Sequence, residues 1–168
     1  MSESHVIAAI VEHKPGVLYR VSNMFRRRDF NIESISVGPT ESPDLARMTI
    51  AVKGGEAQVE QAVKQLQKLI DVVKVSILPP NETVLRELAL VKVHTADARA
   101  RSDIVHYVDI FRGRVVDVAH DSMTTEITGS SDKIDAFIEL MRSFGVREVA
   151  RTGITALSRG LKSLRVEE

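Results

Sequence analysis

One turn in the chain combines residue types that could bind a small anion. The sequence His13-Lys14-Pro15-Gly16 separates an apolar run, Val6 to Val11, from a helical pattern that begins at Val17. The first N–H groups of a helix have no partner inside the helix, and the helix dipole is positive at that end. A carboxylate can therefore bind there, and Gly16 would let it approach the backbone because glycine has no Cβ. A plain Pro-Gly turn without a ligand explains the same residues equally well.

Residue patterns for catalysis or metal binding are missing from the sequence. There are no cysteines, which excludes thiolate nucleophiles and cysteine zinc sites. No histidine stands in an H-E-x-x-H arrangement, and there is no G-x-S-x-G elbow, phosphate-binding loop or dinucleotide fingerprint. We therefore predict no catalytic residue and no metal site. The histidines are His5, His13, His94, His106 and His120.

Charge and composition argue against nucleic acid and membrane as partners. The 23 basic residues balance 23 acidic residues, so the chain lacks the positive field that non-specific nucleic-acid binding needs. Aromatic residues are only 4%, too few for base stacking on a sheet; Arg26-Arg27-Arg28 is interpreted as a solvated helix end. No apolar run is long enough to span a bilayer. With no signal-peptide pattern at the start, we expect a cytoplasmic protein.

Hydrophobic periodicity predicts the same order of elements in both halves of the chain. A run rich in proline and polar residues, 78–83, separates the halves as a linker. The last helix is predicted to be capped at Ser131 or Asp132 and to end at Gly145. Predicted strands are 6–11, 30–37, 46–52 and 72–77, then 88–93, 114–119, 123–128 and 148–156; predicted helices are 17–25 and 59–70, then 104–111 and 134–144.

The repeated order β-α-β-β-α-β predicts an α+β protein made of two tandem ferredoxin-like sandwiches. We place the first domain at 1–78 and the second at 84–168. One face of each sheet would lack helices, and such faces usually find a partner. We therefore expect sheet pairing within a dimer or between the halves.

The first half resembles an ACT domain, a regulatory module that binds amino acids, through the motif Val11 to Leu18. Both halves together resemble the small regulatory subunit of acetohydroxyacid synthase (acetolactate synthase). The further segments that carry this resemblance are 30–35, 47–50, 71–75, 87–93, 110–118, 151–154 and 157–160.

The resemblance implies a non-catalytic subunit that binds a large catalytic subunit and raises its activity. Thiamine diphosphate, Mg²⁺ and FAD would belong to that catalytic subunit, and this chain would carry no cofactor. The resemblance also implies a homodimer through the ACT domains and feedback inhibition by valine, or by leucine or isoleucine. The effector would lie between a turn of one ACT domain and a strand of the other. The implied site residues are His13, Lys14, Pro15, Gly16, Val17 and Leu18 from the turn, and Asn31 and Ile32 from the strand.

One residue departs from the family pattern: many members have Asn where this sequence has His13. An imidazole can still donate or accept one hydrogen bond, although its shape differs.

The resemblance implies that the second half contributes to contact with the catalytic subunit. The alternative function is a stand-alone ACT-type amino-acid sensor that acts on another partner. A small enzyme on the same scaffold is a third hypothesis, because fold does not fix function.

Overall fold

The computed structural model describes residues 4–164 of the chain, which form two compact units. The first unit contains the chain up to Val84 and also the segment from Ile154 onwards. The second unit is Leu85–Gly153. The division into domains at 1–78 and 84–168 stays a prediction, and it did not include the segment from Ile154 in the first unit. Residues 1–3 and 165–168 of those ranges lie outside the described residues.

The first unit has the predicted order β-α-β-β-α-β. Its four strands form an antiparallel sheet in the order β2-β3-β1-β4, so that β1 and β3 are central. Its elements are β1 (Ser4–Glu12), α1 (Val17–Arg27), β2 (Ile32–Pro39), β3 (Leu45–Lys53), α2 (Glu56–Leu66) and β4 (Val72–Leu78).

The core of the first unit lies between one face of this sheet and the two helices. In the sheet, Ile7 of β1 stands opposite Ile50 of β3, and both side chains are fully buried. Val21 and Phe25 of α1 pack into the same core, at the spacing that the sequence predicts. Leu18, which the same periodic pattern includes, is 47% exposed and lies outside this core.

The other face of this sheet contacts the C-terminal segment that begins at Ile154. Ser36 on β2 donates from Oγ to the Ile154 carbonyl at 2.9 Å, and the Ile154 N–H lies 3.4 Å from Ser34 Oγ. Arg47 on β3 donates to the Ala156 carbonyl at 2.8 Å. Part of the face expected to need a partner is therefore covered by the unit's own chain; the predicted pairing through a dimer stays a prediction.

The second unit repeats the architecture, and the predicted fold class is confirmed. Its sheet has the order β6-β7-β5-β8. Phe137 and Ile104 from the helices are fully buried against Val91 and Ile127 of the sheet. The remaining elements of the chain are β5 (Thr83–His94), α3 (Ala98–Ile110), β6 (Arg114–Val118), β7 (Ser122–Gly129), α4 (Ser131–Met141), β8 (Val146–Arg151) and β9 (Thr155–Ser158).

Two local predictions for this half need correction, and a third is confirmed. The strand predicted over 148–156 is interrupted after Arg151, because Gly153 adopts a φ of +78° that ends the extended backbone. Helix α4 is capped by Ser130, whose side chain accepts from the Lys133 N–H at 3.4 Å, and not by Ser131 or Asp132. Gly145 does end the helical segment, with a φ of +98° after a short 3₁₀ turn.

The linker between the halves is short. A single 3₁₀ turn, Pro80–Glu82, connects β4 to β5, and Thr83 donates from Oγ1 to the Pro79 carbonyl at 2.6 Å. Within the described residues, no helix is both long enough and apolar enough to cross a membrane.

Candidate functional site

The start of helix α1 has free amide donors. Gly16 is the N-cap residue with a φ of +87°, a left-handed conformation that favours glycine. Its carbonyl accepts from the Arg20 N–H at 3.1 Å. Within the part of the chain that the structure describes, no side chain caps this helix, and its first turn contains no acidic residue. The first-turn amides can therefore donate hydrogen bonds to an external carboxylate, which the positive end of the helix dipole also favours.

Backbone hydrogen bonds fix the turn that leads to Gly16. The Glu12 N–H donates to the Asp71 carbonyl at 2.9 Å, and the His13 N–H donates to the Asp44 carbonyl at 2.8 Å. Asp44 precedes β3 and Asp71 precedes β4, so both neighbouring strands hold the end of β1. These bonds hold the turn in place at the end of the central strand β1.

A buried carboxylate lies beside the same turn. Asp71 is only 1% exposed, and two cations flank it: Lys14 Nζ is 3.0 Å from Oδ1 and Arg20 Nε is 2.6 Å from Oδ2. The hydrogen bond from Lys14, together with the charge of Arg20, lowers the pKa of the Asp71 carboxyl despite its burial. Glu12 also contacts Lys14, and Glu12 and Asp71 together raise the pKa of that ammonium group.

Sequence reasoning assigned no role to Asp71 or Arg20. The sequence does place both residues at distinctive positions: Asp71 comes directly before a strand, and Arg20 is in the first turn of the helix that follows Gly16. Neither spacing nor periodicity indicates that residues 51 positions apart meet. Their contact depends on the register that places β1 beside β4.

The predicted turn residues do not all offer their side chains to a ligand. His13, Lys14, Pro15 and Gly16 are exposed, and Leu18 is nearly half exposed. Val17 is 2% exposed and packs in the core of the first unit. Its side chain is therefore not available for contact with a ligand, although its backbone N–H belongs to the uncapped helix start.

Asn31 and Ile32 lie at the other end of the sheet from the turn. Ile32 pairs with Val52, and Val52 pairs with His5 at the beginning of β1, whereas the turn follows the end of β1. The nine residues of β1 span roughly 25 Å. Asn31 is exposed, and Ile32 packs partly into the core. A single chain therefore does not bring the two predicted parts of the site together.

Comparison with known proteins identifies both halves. Residues 7–74 match the family model "AHAS small subunit-like ACT domain", and residues 86–160 match "Small subunit of acetolactate synthase". The chain is 57% identical over 162 residues to a probable acetolactate synthase small subunit of Methanothermobacter thermautotrophicus, with 96% of each chain covered. It is 45% identical over 161 residues to the acetolactate synthase small subunit of Mycolicibacterium smegmatis, covering 96% of this chain and 94% of that one.

A solved structure agrees with these sequence relatives. The crystal structure of the acetolactate synthase small subunit from Thermotoga maritima superposes with a TM-score of 0.88 at 44% identity, covering 94% of this chain and 98% of that one. The match includes both units and is well above the identity at which only the fold would be shared. The chain belongs to the family of acetolactate synthase small subunits, and its first half is an ACT domain.

Proposed function

We propose that this chain is the regulatory subunit of an acetolactate synthase. It would bind the thiamine-diphosphate-dependent catalytic subunit, raise its activity and make it sensitive to a branched-chain amino acid, with valine as the first candidate. The observation that carries this proposal is the uncapped start of α1 at Gly16 inside an ACT domain of this family. The chain itself would be non-catalytic and cytoplasmic, with thiamine diphosphate, Mg²⁺ and FAD on the catalytic subunit.

The separation of the two predicted parts of the site supports a homodimer. Gly16 and Asn31 lie at opposite ends of the first sheet, so one copy cannot enclose a molecule as small as valine between them. A second copy could place its Asn31 and Ile32 opposite the turn of the first. In that arrangement the turn amides hold the effector's carboxylate, Asn31 binds its polar end, and Leu18 and Ile32 contact its aliphatic side chain.

Feedback inhibition then requires that valine bind one arrangement of the subunits better than another. A ligand with equal affinity for both states shifts no equilibrium. Couplings between two sites are typically about 1–3 kcal/mol, which corresponds to a change of roughly fivefold to 150-fold in the affinity of one state for the other ligand. This range is accessible to a ligand that adds a few hydrogen bonds across a dimer interface.

Calorimetric titration of the full-length chain with valine, leucine and isoleucine tests the proposal. We expect saturable binding of at least one of them, with two sites per dimer. Reconstitution with the catalytic subunit should then show activation without the amino acid and inhibition with it. Co-purification distinguishes the alternative: a stand-alone sensor would bind an amino acid but would not bring down a thiamine-dependent protein.

A further inference from the structure

Arg20 is placed between a buried anion and the helix start. Its Nε lies 2.6 Å from Asp71 Oδ2, and a Cβ placed on Gly16 would lie 3.7 Å from its Nη2. The Arg20 side chain is 47% exposed in spite of this contact. The guanidinium is therefore held on one side by Asp71, while its Nη2 lies near Gly16 at an exposed position.

The second unit provides an internal comparison, because two backbone hydrogen bonds around this turn recur there. The second turn is one residue shorter, and its N-cap residue Asp97 is extended, with a φ of −154°, where Gly16 is left-handed. Glu12 N–H donates to Asp71 O in the first unit, and His94 N–H donates to Gly145 O at 2.8 Å in the second. Likewise, Arg20 N–H donates to Gly16 O, and Arg101 N–H donates to Asp97 O, both at 3.1 Å. Asp97 thus corresponds to Gly16, Arg101 to Arg20, and Gly145 to Asp71.

The two units have a carboxylate at different members of these corresponding positions. In the second unit, the Asp97 side chain caps α3 and accepts from the Ala100 N–H at 2.8 Å. Gly145 occupies the position of Asp71, so this position supplies no carboxylate. The Arg101 guanidinium instead donates from Nη2 to the carbonyls of Ala119, at 3.3 Å, and His120, at 2.8 Å.

In the first unit the N-cap residue has no carboxylate, and the residue under the turn has one. The N-cap residue is a glycine, so the helix start receives no internal carboxylate. The carboxylate lies under the turn as Asp71, and its Oδ2 is 2.6 Å from Arg20 Nε. In the second unit a carboxylate occupies the helix start. The first unit has no such carboxylate at the start of α1, but it does have an arginine, Arg20, beside that position.

We propose that Arg20 is a binding residue for the effector's carboxylate and that Asp71 is the positioning residue that holds it there. This inference rests on the proposed effector site. The carboxylate would accept from the first-turn amides of α1 and from an Nη–H of Arg20. Because Asp71 already fixes the guanidinium, little side-chain entropy is lost when the ligand binds. The ligand class is a free amino acid, and the equivalent turn of the second unit is closed to it by Asp97.

Titration calorimetry on the full-length chain tests the assignment. R20Q should weaken valine binding by roughly 10- to 100-fold, the range expected for one hydrogen bond between charged groups. D71N should weaken it less, because the guanidinium stays present but is no longer held. R99Q, which removes an exposed arginine near the start of α3, should leave the affinity unchanged. R20K should recover part of the loss, since it restores the charge without the fork of donors.

Two readouts separate recognition from a structural role. Valinamide lacks the charged carboxylate, so R20Q should lower the ratio of valine affinity to valinamide affinity; a structural role would weaken both ligands by the same factor. In the wild-type chain, valine should also shift the Nε–H NMR signal of Arg20 and leave that of Arg101 in place. This second measurement needs no variant and holds even where R20Q fails to fold.

The outcomes are distinguishable. If the wild-type chain binds none of the three branched-chain amino acids, the proposed effector site itself is wrong. If it binds valine while R20Q and R20K bind as tightly as wild type, or if the Arg20 signal does not move, only the present inference is overturned.

Discussion

Arg47 on β3 donates from Nη2 to the backbone carbonyl of Ala156 at 2.8 Å, across 109 positions of sequence. Arg47 Nε is also buried, and it has no hydrogen-bond partner among the described residues. Burial accordingly lowers the pKa of the guanidinium. The hydrogen bond to Ala156 offsets part of the cost of this burial, so we regard Arg47 as one anchor of the C-terminal segment on the ACT sheet, beside Ser34 and Ser36.

Replacing this anchor should loosen the segment without unfolding the sheet. We expect R47M to lower the free energy of unfolding by about 1–3 kcal/mol, the range for losing a hydrogen bond from a charged donor. Hydrogen exchange of the β9 amides, residues 155–158, should become faster. R86M is the matched control, since Arg86 also donates to a backbone carbonyl, that of neighbouring Leu85, from an exposed position. Unchanged exchange of β9 in R47M would mean that other contacts hold the segment.

This anchor illustrates what the sequence could and could not predict about the fold. Runs of apolar residues and the Gly and Pro residues between them predicted the order of strands and helices in both units. The return of the chain to the first unit was not predictable, because it depends on the φ of +78° at Gly153. A glycine within a segment that resembles a strand is compatible with a continuous strand as well as with a break.

For the candidate site, too, the sequence could predict some features and not others. The uncapped helix start at Gly16 follows from a local rule of backbone hydrogen bonding, and the sequence predicted it. Asp71 and Arg20 meet only through the pairing of β1 with β4, which no local pattern encodes. Likewise, three adjacent polar residues could cap α4, and only the structure identifies Ser130.

A buried ion pair in the second unit predicts its acid sensitivity. Glu87 is 5% exposed, and its two oxygens accept from Arg151 Nε at 2.7 Å and Nη2 at 2.8 Å. These bonds lower the pKa of Glu87 despite its burial. Since the folded pKa is below the unfolded value of about 4.3, the pair stabilises the protein fully above that pH. The stabilisation is lost as the pH falls through the folded pKa.

We therefore expect E87Q to lower the free energy of unfolding by about 1.5–3 kcal/mol at pH 7, with a smaller difference below pH 4. Urea unfolding at both pH values measures this. E148Q is the control: Glu148 pairs with Lys92 at 3.2 Å, but its side chain is 71% exposed, so its loss should cost less than about 1 kcal/mol. A difference for E87Q that is independent of pH would contradict an effect of charge.

The cap of α3 should contribute measurably to the second unit. Removing the Asp97 carboxylate by D97A leaves the Ala100 N–H without its acceptor. We expect a loss of about 0.5–2 kcal/mol in the free energy of unfolding, and no change in valine affinity. D103A, which alters an exposed aspartate within the same helix, should be close to neutral. If D97A is as stable as wild type, Asp97 does not cap the helix in solution, and the comparison between the two units loses its basis.

Substitutions at Gly16 test the effector site in the complete enzyme. G16D places a carboxylate where the effector's own carboxylate would bind, so we expect loss of valine inhibition while activation of the catalytic subunit is kept. G16A carries the same strain of a left-handed φ, about 1–2 kcal/mol, without the charge. It should therefore keep more valine sensitivity than G16D. Activity of the reconstituted complex against valine concentration measures both, with thermal unfolding to compare their stability. Full valine sensitivity in G16D would place the effector away from this helix start, because two carboxylates cannot share it.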